Sequence, residues 1–165
     1  MLAGLCNLCV EFGYANYDKF ATFLDDVERA TVTSLCDIKG KVIRHQQFMK
    51  CKFSKQAERH PPSLELCLDH AFGECNQAHD SCSEAVVLHE VVRSVNVLLE
   101  TIPSADDTKK LSEELKSLMA VHEQYVGHLL RTKHQADYYK FILNNLQPGK
   151  AVVIVDYKIK LELGV

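Results

Sequence analysis

The chain has 165 residues, 47% hydrophobic and 25% charged, with a net charge of −3. That balance excludes a collagen-like chain, a Pro/Gly-rich chain and a strongly charged disordered one. The total charge gives no footprint for a nucleic-acid partner. The apolar run Ala151–Val155 is far short of the ~20 residues that span a bilayer, and the first residues do not read as a secretory leader.

The mild total conceals two opposed segments. Residues 39–60 concentrate Lys39, Lys41, Arg44, Lys50, Lys52, Lys55 and Arg59 against Glu58 alone. Residues 61–103 have Arg93 as their one cation among many acids.

In chain order, Phe20, Phe23, Leu24 and Val27 recur at helical spacing and predict a helix over 17–32, with Asn16 as its N-cap. Leu35, Ile38, Val42, Met49 and Phe53 predict a second helix over 34–57, weakened at Gly40. Pro61-Pro62 stops it, because proline cannot donate the next backbone bond. Residues 63–83 lack a regular pattern and are rich in Cys and His. Leu88, Val91, Val95, Leu98 and Ile102 then predict a helix over 84–102 that breaks at Pro103. Ser104, with Asp107 three residues on, reads as the next helix start.

That next helix is long. Leu111, Leu115, Leu118, His122, Tyr125, Leu129, Thr132, Ala136, Tyr139 and Leu143 keep a four-three rhythm, the spacing of a coiled-coil seam. The turn at Pro103 predicts an antiparallel hairpin whose first arm covers only about half of a rod of roughly 60 Å. The uncovered part of the 111–143 seam is therefore expected to meet another helix, a second subunit or sequence beyond these residues. After Gln147-Pro148-Gly149, residues 151–155 read as a buried strand and 158–163 as a half-buried one. A lone hairpin is marginal in water, so the chain is expected to be the N-terminal part of a longer protein.

Cys67, His70, Cys75, His79 and Cys82 fall within one short segment. Zinc takes four nitrogen or sulfur ligands in a tetrahedron, and close pairs can grip it from a turn. An odd number of cysteines, seven in all, fits thiols and metal ligands better than a disulfide framework. His60, just before the double proline, can join this set. A split site is also open, using Cys6 and Cys9 with Cys67 and His70. Either way the zinc would be structural, since a closed site leaves no position for water. Cys36 and Cys51 read as core or surface thiols.

Other residues admit sharper and plainer readings. Lys41, Arg44, Lys50, Lys52, Lys55 and Arg59 could line a phosphate backbone, or simply face solvent. His128 and His134 flank Arg131 and Lys133 on a polar face. Asp156 follows an apolar strand, where a carboxylate can hold a divalent metal or merely close a turn.

The order of these pieces resembles a group of transposon-derived proteins. The pieces are Cys6-Asn-Leu-Cys9-Val-Glu11-Phe-Gly13, then Cys67-Leu-Asp-His70-Ala-Phe-Gly with His79. They continue with Gly127-His128-Leu-Leu-Arg131-Thr-Lys-His134-Gln135 and end in Val-Val-Ile-Val-Asp156-Tyr157-Lys158-Ile-Lys160. In that group a zinc-binding helical region leads into an RNase-H-like, DDE-type transposase core. The resemblance implies that Asp156 is the first metal-binding carboxylate of the core, with Mg2+ only where a complete core follows, and a nuclear, DNA-binding role. The departures are Cys82-Ser-Glu-Ala85, where the group carries a Cys-x2-Cys pair, and the lack within these residues of the two further acids a DDE centre needs.

Together these readings predict a mainly α chain with a long helical hairpin and a zinc-binding insert, ending in a short β-hairpin. Its parts would be a helical region over 1–62, the zinc segment 63–83, the helical hairpin 84–147 and the β-hairpin 148–165. The expected role is binding rather than catalysis, inside the cell: a zinc-stabilised, DNA-contacting fragment of a transposase-like protein. The alternative is a zinc-stabilised helical protein-interaction module.

Overall fold

A computed structural model describes residues 8–151. The protein is mainly helical, and no strand occurs among the described residues. Residues 152–165 and 1–7 lie outside them, and with them the expected β-hairpin, Asp156 and Cys6.

A π-helical turn, Cys9–Tyr14, runs without a break into α1 (Ala15–Thr31). The expected N-cap at Asn16 is therefore not one. Asn16 is buried inside the helix and its Nδ2 donates to the Leu118 carbonyl at 3.2 Å. Helix α1 ends where Val32 turns into the left-handed region at φ 52°. Glu28 then accepts from the Leu35 amide at 2.9 Å and pairs with Lys39, which also reaches Asp25 at 2.7 Å. These bonds lower the Glu28 carboxyl and raise the Lys39 amine from their ordinary values, and they fasten α1 to the start of α2 (Cys36–Phe48).

Helix α2 continues through a π-helical turn, Met49–Phe53, into the short α3 (Ser54–Gln56). The helix stops before the double proline because Ala57 already turns to extended backbone. A 3-10 turn (Leu64–Leu66) and α4 (Leu68–Ala71) follow, then α5 (Ser83–Leu99) and α6 (Ala105–Asn144). Ser104 caps α6, its Oγ accepting from the Asp107 amide at 3.3 Å.

The core joins Phe20, Phe23, Leu24 and Val27 of α1 to Val42 and Phe48 of α2, and to Leu88, Val91 and Val95 of α5. Helix α5 lies mainly against α2, and α6 mainly against α1. Along α6 the seam holds at Leu111, Leu115, Leu118, His122 and Tyr125, which are all buried. It then slips: Leu130 is buried instead of Leu129, and Thr132, Ala136 and Leu143 are exposed. The cause is length. At about 1.5 Å per residue, the 17 residues of α5 cannot cover the 40 of α6. Helix α6 also packs on the Cys9–Tyr14 turn, where Gly13 faces Tyr125, and on α3 and α4.

Candidate metal centre

Two isolated parallel bridges organise the segment between α3 and α5. Glu58 pairs with Cys67, and Ser63 with Asp80. The Glu58 amide donates to Leu66 O at 3.1 Å, and Glu58 O accepts from the Leu68 amide at 2.7 Å. The Leu64 amide donates to Asp80 O at 2.9 Å, and the Asp80 amide to Pro62 O at 2.8 Å. The chain thus doubles back on itself, which sets His60 beside Cys67 and Pro61 beside His79.

Within this fold His60, Cys67 and Cys75 each present a ligand atom, all within 4.8 Å of one another. Cys75 Sγ lies 3.7 Å from His60 Nδ1 and 3.1 Å from His79 Nε2. Both imidazoles are held from behind. His60 Nε2 reaches Asp69 Oδ2 at 3.0 Å, and His79 Nδ1 reaches the Pro61 carbonyl at 3.0 Å. Both of these partners are acceptors, so in the neutral rings the outer nitrogens carry the protons. The inner nitrogens then aim their lone pairs at Cys75. One thiol proton cannot serve two lone pairs, whereas a cation can accept from both nitrogens and the sulfur. Zinc bonds of roughly 2.0–2.3 Å place tetrahedral ligand atoms about 3.3–3.8 Å apart; the two separations from Cys75 lie near that range, while His79 stands outside the group of three whose atoms are all within 4.8 Å of one another.

Asp69 is only 5% exposed and is also held by Arg59 Nε at 3.2 Å. A buried carboxylate behind a histidine is a common outer support of a metal ligand, because it fixes the ring and raises its basicity. Cys67 is buried; its Sγ donates to Arg59 O at 3.0 Å and accepts from the His70 amide at 3.3 Å. Loading a metal would cost the first bond and keep the second. Burial raises the Cys67 thiol. The Gln77 amide, then His79, lowers the Cys75 thiol to about 7, and the Cys75 contact in turn raises His79.

The remaining sequence-predicted residues take other positions. His70 has an exposed side chain, its ring centre 6.3 Å from that of His79. Cys82 stands at the start of α5, where its amide donates to Glu65 Oε2 at 2.9 Å. Cys9 packs against the hydrophobic core in the first turn. Asp69 and the Pro61 carbonyl were not anticipated. The signal for Asp69 was present as the acid between Cys67 and His70, but only the chain reversal turns it toward His60.

The basic residues of 39–60 are partly neutralised. Lys41 meets Asp37 at 3.8 Å, Lys52 meets Glu84 at 2.9 Å and Arg59 meets Asp69. Lys50 stands 4.0 Å over the Tyr14 ring. Among the described residues Lys50, Arg44 and Lys55 have no carboxylate partner. No described helix is long and apolar enough to cross a membrane. No family model, curated protein or solved structure matches the chain.

Proposed function

We propose that this chain is a zinc-stabilised helical binding module whose centre is formed by His60, Cys67, Cys75 and His79. The carrying observation is the pair of histidines, each fixed from behind by an acceptor and each aiming its inner nitrogen at Cys75. His60, Cys67 and Cys75 already converge, and His79, drawn in from its contact with Cys75, supplies the fourth donor of a closed tetrahedral site, so the metal's role is structural. It ties the reversed segment together beside α6.

Arg44, Lys50 and Lys55, which have no carboxylate partner among the described residues, support DNA as the partner, and the resemblance to transposon-derived proteins points the same way. In that reading the chain is the zinc-stabilised region that precedes a transposase-like core, and Asp156 belongs to the core. A protein partner is favoured by one different observation. Tyr138 and Phe141, at 61% and 63% exposed, rim a cavity of about 410 Å³ between α6 and the metal segment.

Metal analysis of the purified chain tests the centre. We expect a single zinc per chain, lost in Cys75→Ser. In Asp69→Asn the zinc affinity should fall roughly 10–100-fold, the usual effect of removing an outer support. A chain purified without stoichiometric zinc overturns the proposal.

A further inference from the structure

Cys67 and Cys75 are unequal partners. Their sulfurs lie within 4.8 Å of each other. Cys67 is 1% exposed, while Cys75 is half-buried and open to small solutes. The residues between them include Gly73, at φ +76° with open space around its Cα. A segment of this kind can shorten the sulfur–sulfur separation without disturbing the core. Cys82, by contrast, is held at the first turn of α5 and packs against the core.

We infer that Cys67 and Cys75 form a peroxide-reactive pair whose oxidation to a disulfide releases the metal. The inference rests on the zinc centre proposed above and adds how that centre is emptied. Peroxide meets the accessible Cys75 first. The Cys75 sulfur attacks the O–O bond, so that an S–O bond forms, the O–O bond breaks and the departing oxygen leaves as water. The Cys67 sulfur then attacks Cys75 Sγ. An S–S bond forms, the S–O bond breaks and a second water leaves. In sum, the two thiolates give up two electrons, solvent supplies two protons, and one peroxide becomes two waters. The bonded sulfurs are no longer thiolate donors, so two imidazoles alone remain and the zinc departs.

The experiment uses the zinc-loaded full chain and hydrogen peroxide. Cleavage after Glu74 separates Cys67 from Cys75, so a disulfide between them shows as two fragments joined until reduced. We expect zinc release in step with this joining, and recovery of the reduced, zinc-binding chain after dithiothreitol. Cys51→Ser, which removes an exposed thiol outside the centre, should behave as the parent chain does. Retention of zinc in peroxide overturns the inference and leaves the centre intact. Zinc release with Cys75 carried on to sulfinic acid, or joined to Cys82, also overturns it. A chain that carries no zinc before peroxide is added overturns the centre itself.

Discussion

His45 and His122 meet in the middle of the bundle, 2% and 4% exposed, with ring centres 5.1 Å apart. Tyr17 donates its hydroxyl to His45 Nδ1 at 2.7 Å, and His45 Nε2 donates to Ala85 O at 3.3 Å. That arrangement uses one neutral tautomer and has no place for a second proton. Among the described residues, His122 Nδ1 is buried without a hydrogen-bond partner. Burial lowers His45 to about 4 and His122 to about 3, and His89 disfavours the charged form of both. An unfolded histidine titrates near 6.5, so below that pH the unfolded chain binds more protons than the folded one. Stability is therefore full above about 6.5 and is lost as pH falls toward the folded values of about 4 and about 3. Each tenfold drop in a histidine's proton affinity on folding is worth about 1.4 kcal/mol, so the loss should reach a few kcal/mol. Urea midpoints between pH 7 and 4 check this, in a Cys75→Ser background so that metal loss contributes nothing. His122→Leu should flatten the profile and, by removing an orphaned buried nitrogen, leave neutral-pH stability unchanged or raised. An unaltered slope in that variant would refute the assignment.

At the scale of the elements, the first turn and α6 fit through a glycine. A Cβ on Gly13 would stand 2.8 Å from the Tyr125 ring. Tyr125 is buried and cannot swing aside cheaply. Gly13→Ala should therefore cost about 1–3 kcal/mol, read as a fall in melting temperature of several degrees. An unchanged melting temperature would show that this contact does not position the turn. The periodicities that predict α1, α2, α5 and α6 were legible because each helix buries an apolar stripe, in α6 as far as Tyr125. The ends were harder to read. Asn16 looked like a cap because its side chain is short and polar, yet the helix begins earlier and the residue bonds Leu118, 102 positions away. The four-three rhythm of α6 persists beyond Tyr125, but burial follows the neighbours that are present, and there α5 has already ended.

Across the whole molecule, charge is distributed by tertiary pairing as much as by sequence. Lys41, Lys52 and Arg59 must give up a carboxylate before they can hold a phosphate, whereas Arg44, Lys50 and Lys55 meet none among the described residues. If DNA is the partner, replacing these last three by alanine should reduce the slope of log affinity against log salt by up to about 3, at about 0.9 per phosphate contact. Salt titration of binding to duplex DNA checks this, and a slope of zero in the parent chain would exclude an electrostatic contact. The sequence by itself determined the helical class, the stops near the double proline and Pro103, the start at Ser104, and a metal-ligand composition confined to one segment. These are local properties, carried by periodicity, missing donors and residue type. Only the tertiary structure decided which of those ligands converge. The bridges Glu58–Cys67 and Ser63–Asp80 fold the segment back on itself, bring in His60 with Asp69 behind it, and leave His70 exposed and Cys82 at the start of α5. Such pairings depend on which backbone groups find partners across the fold, and spacing along the chain does not encode them.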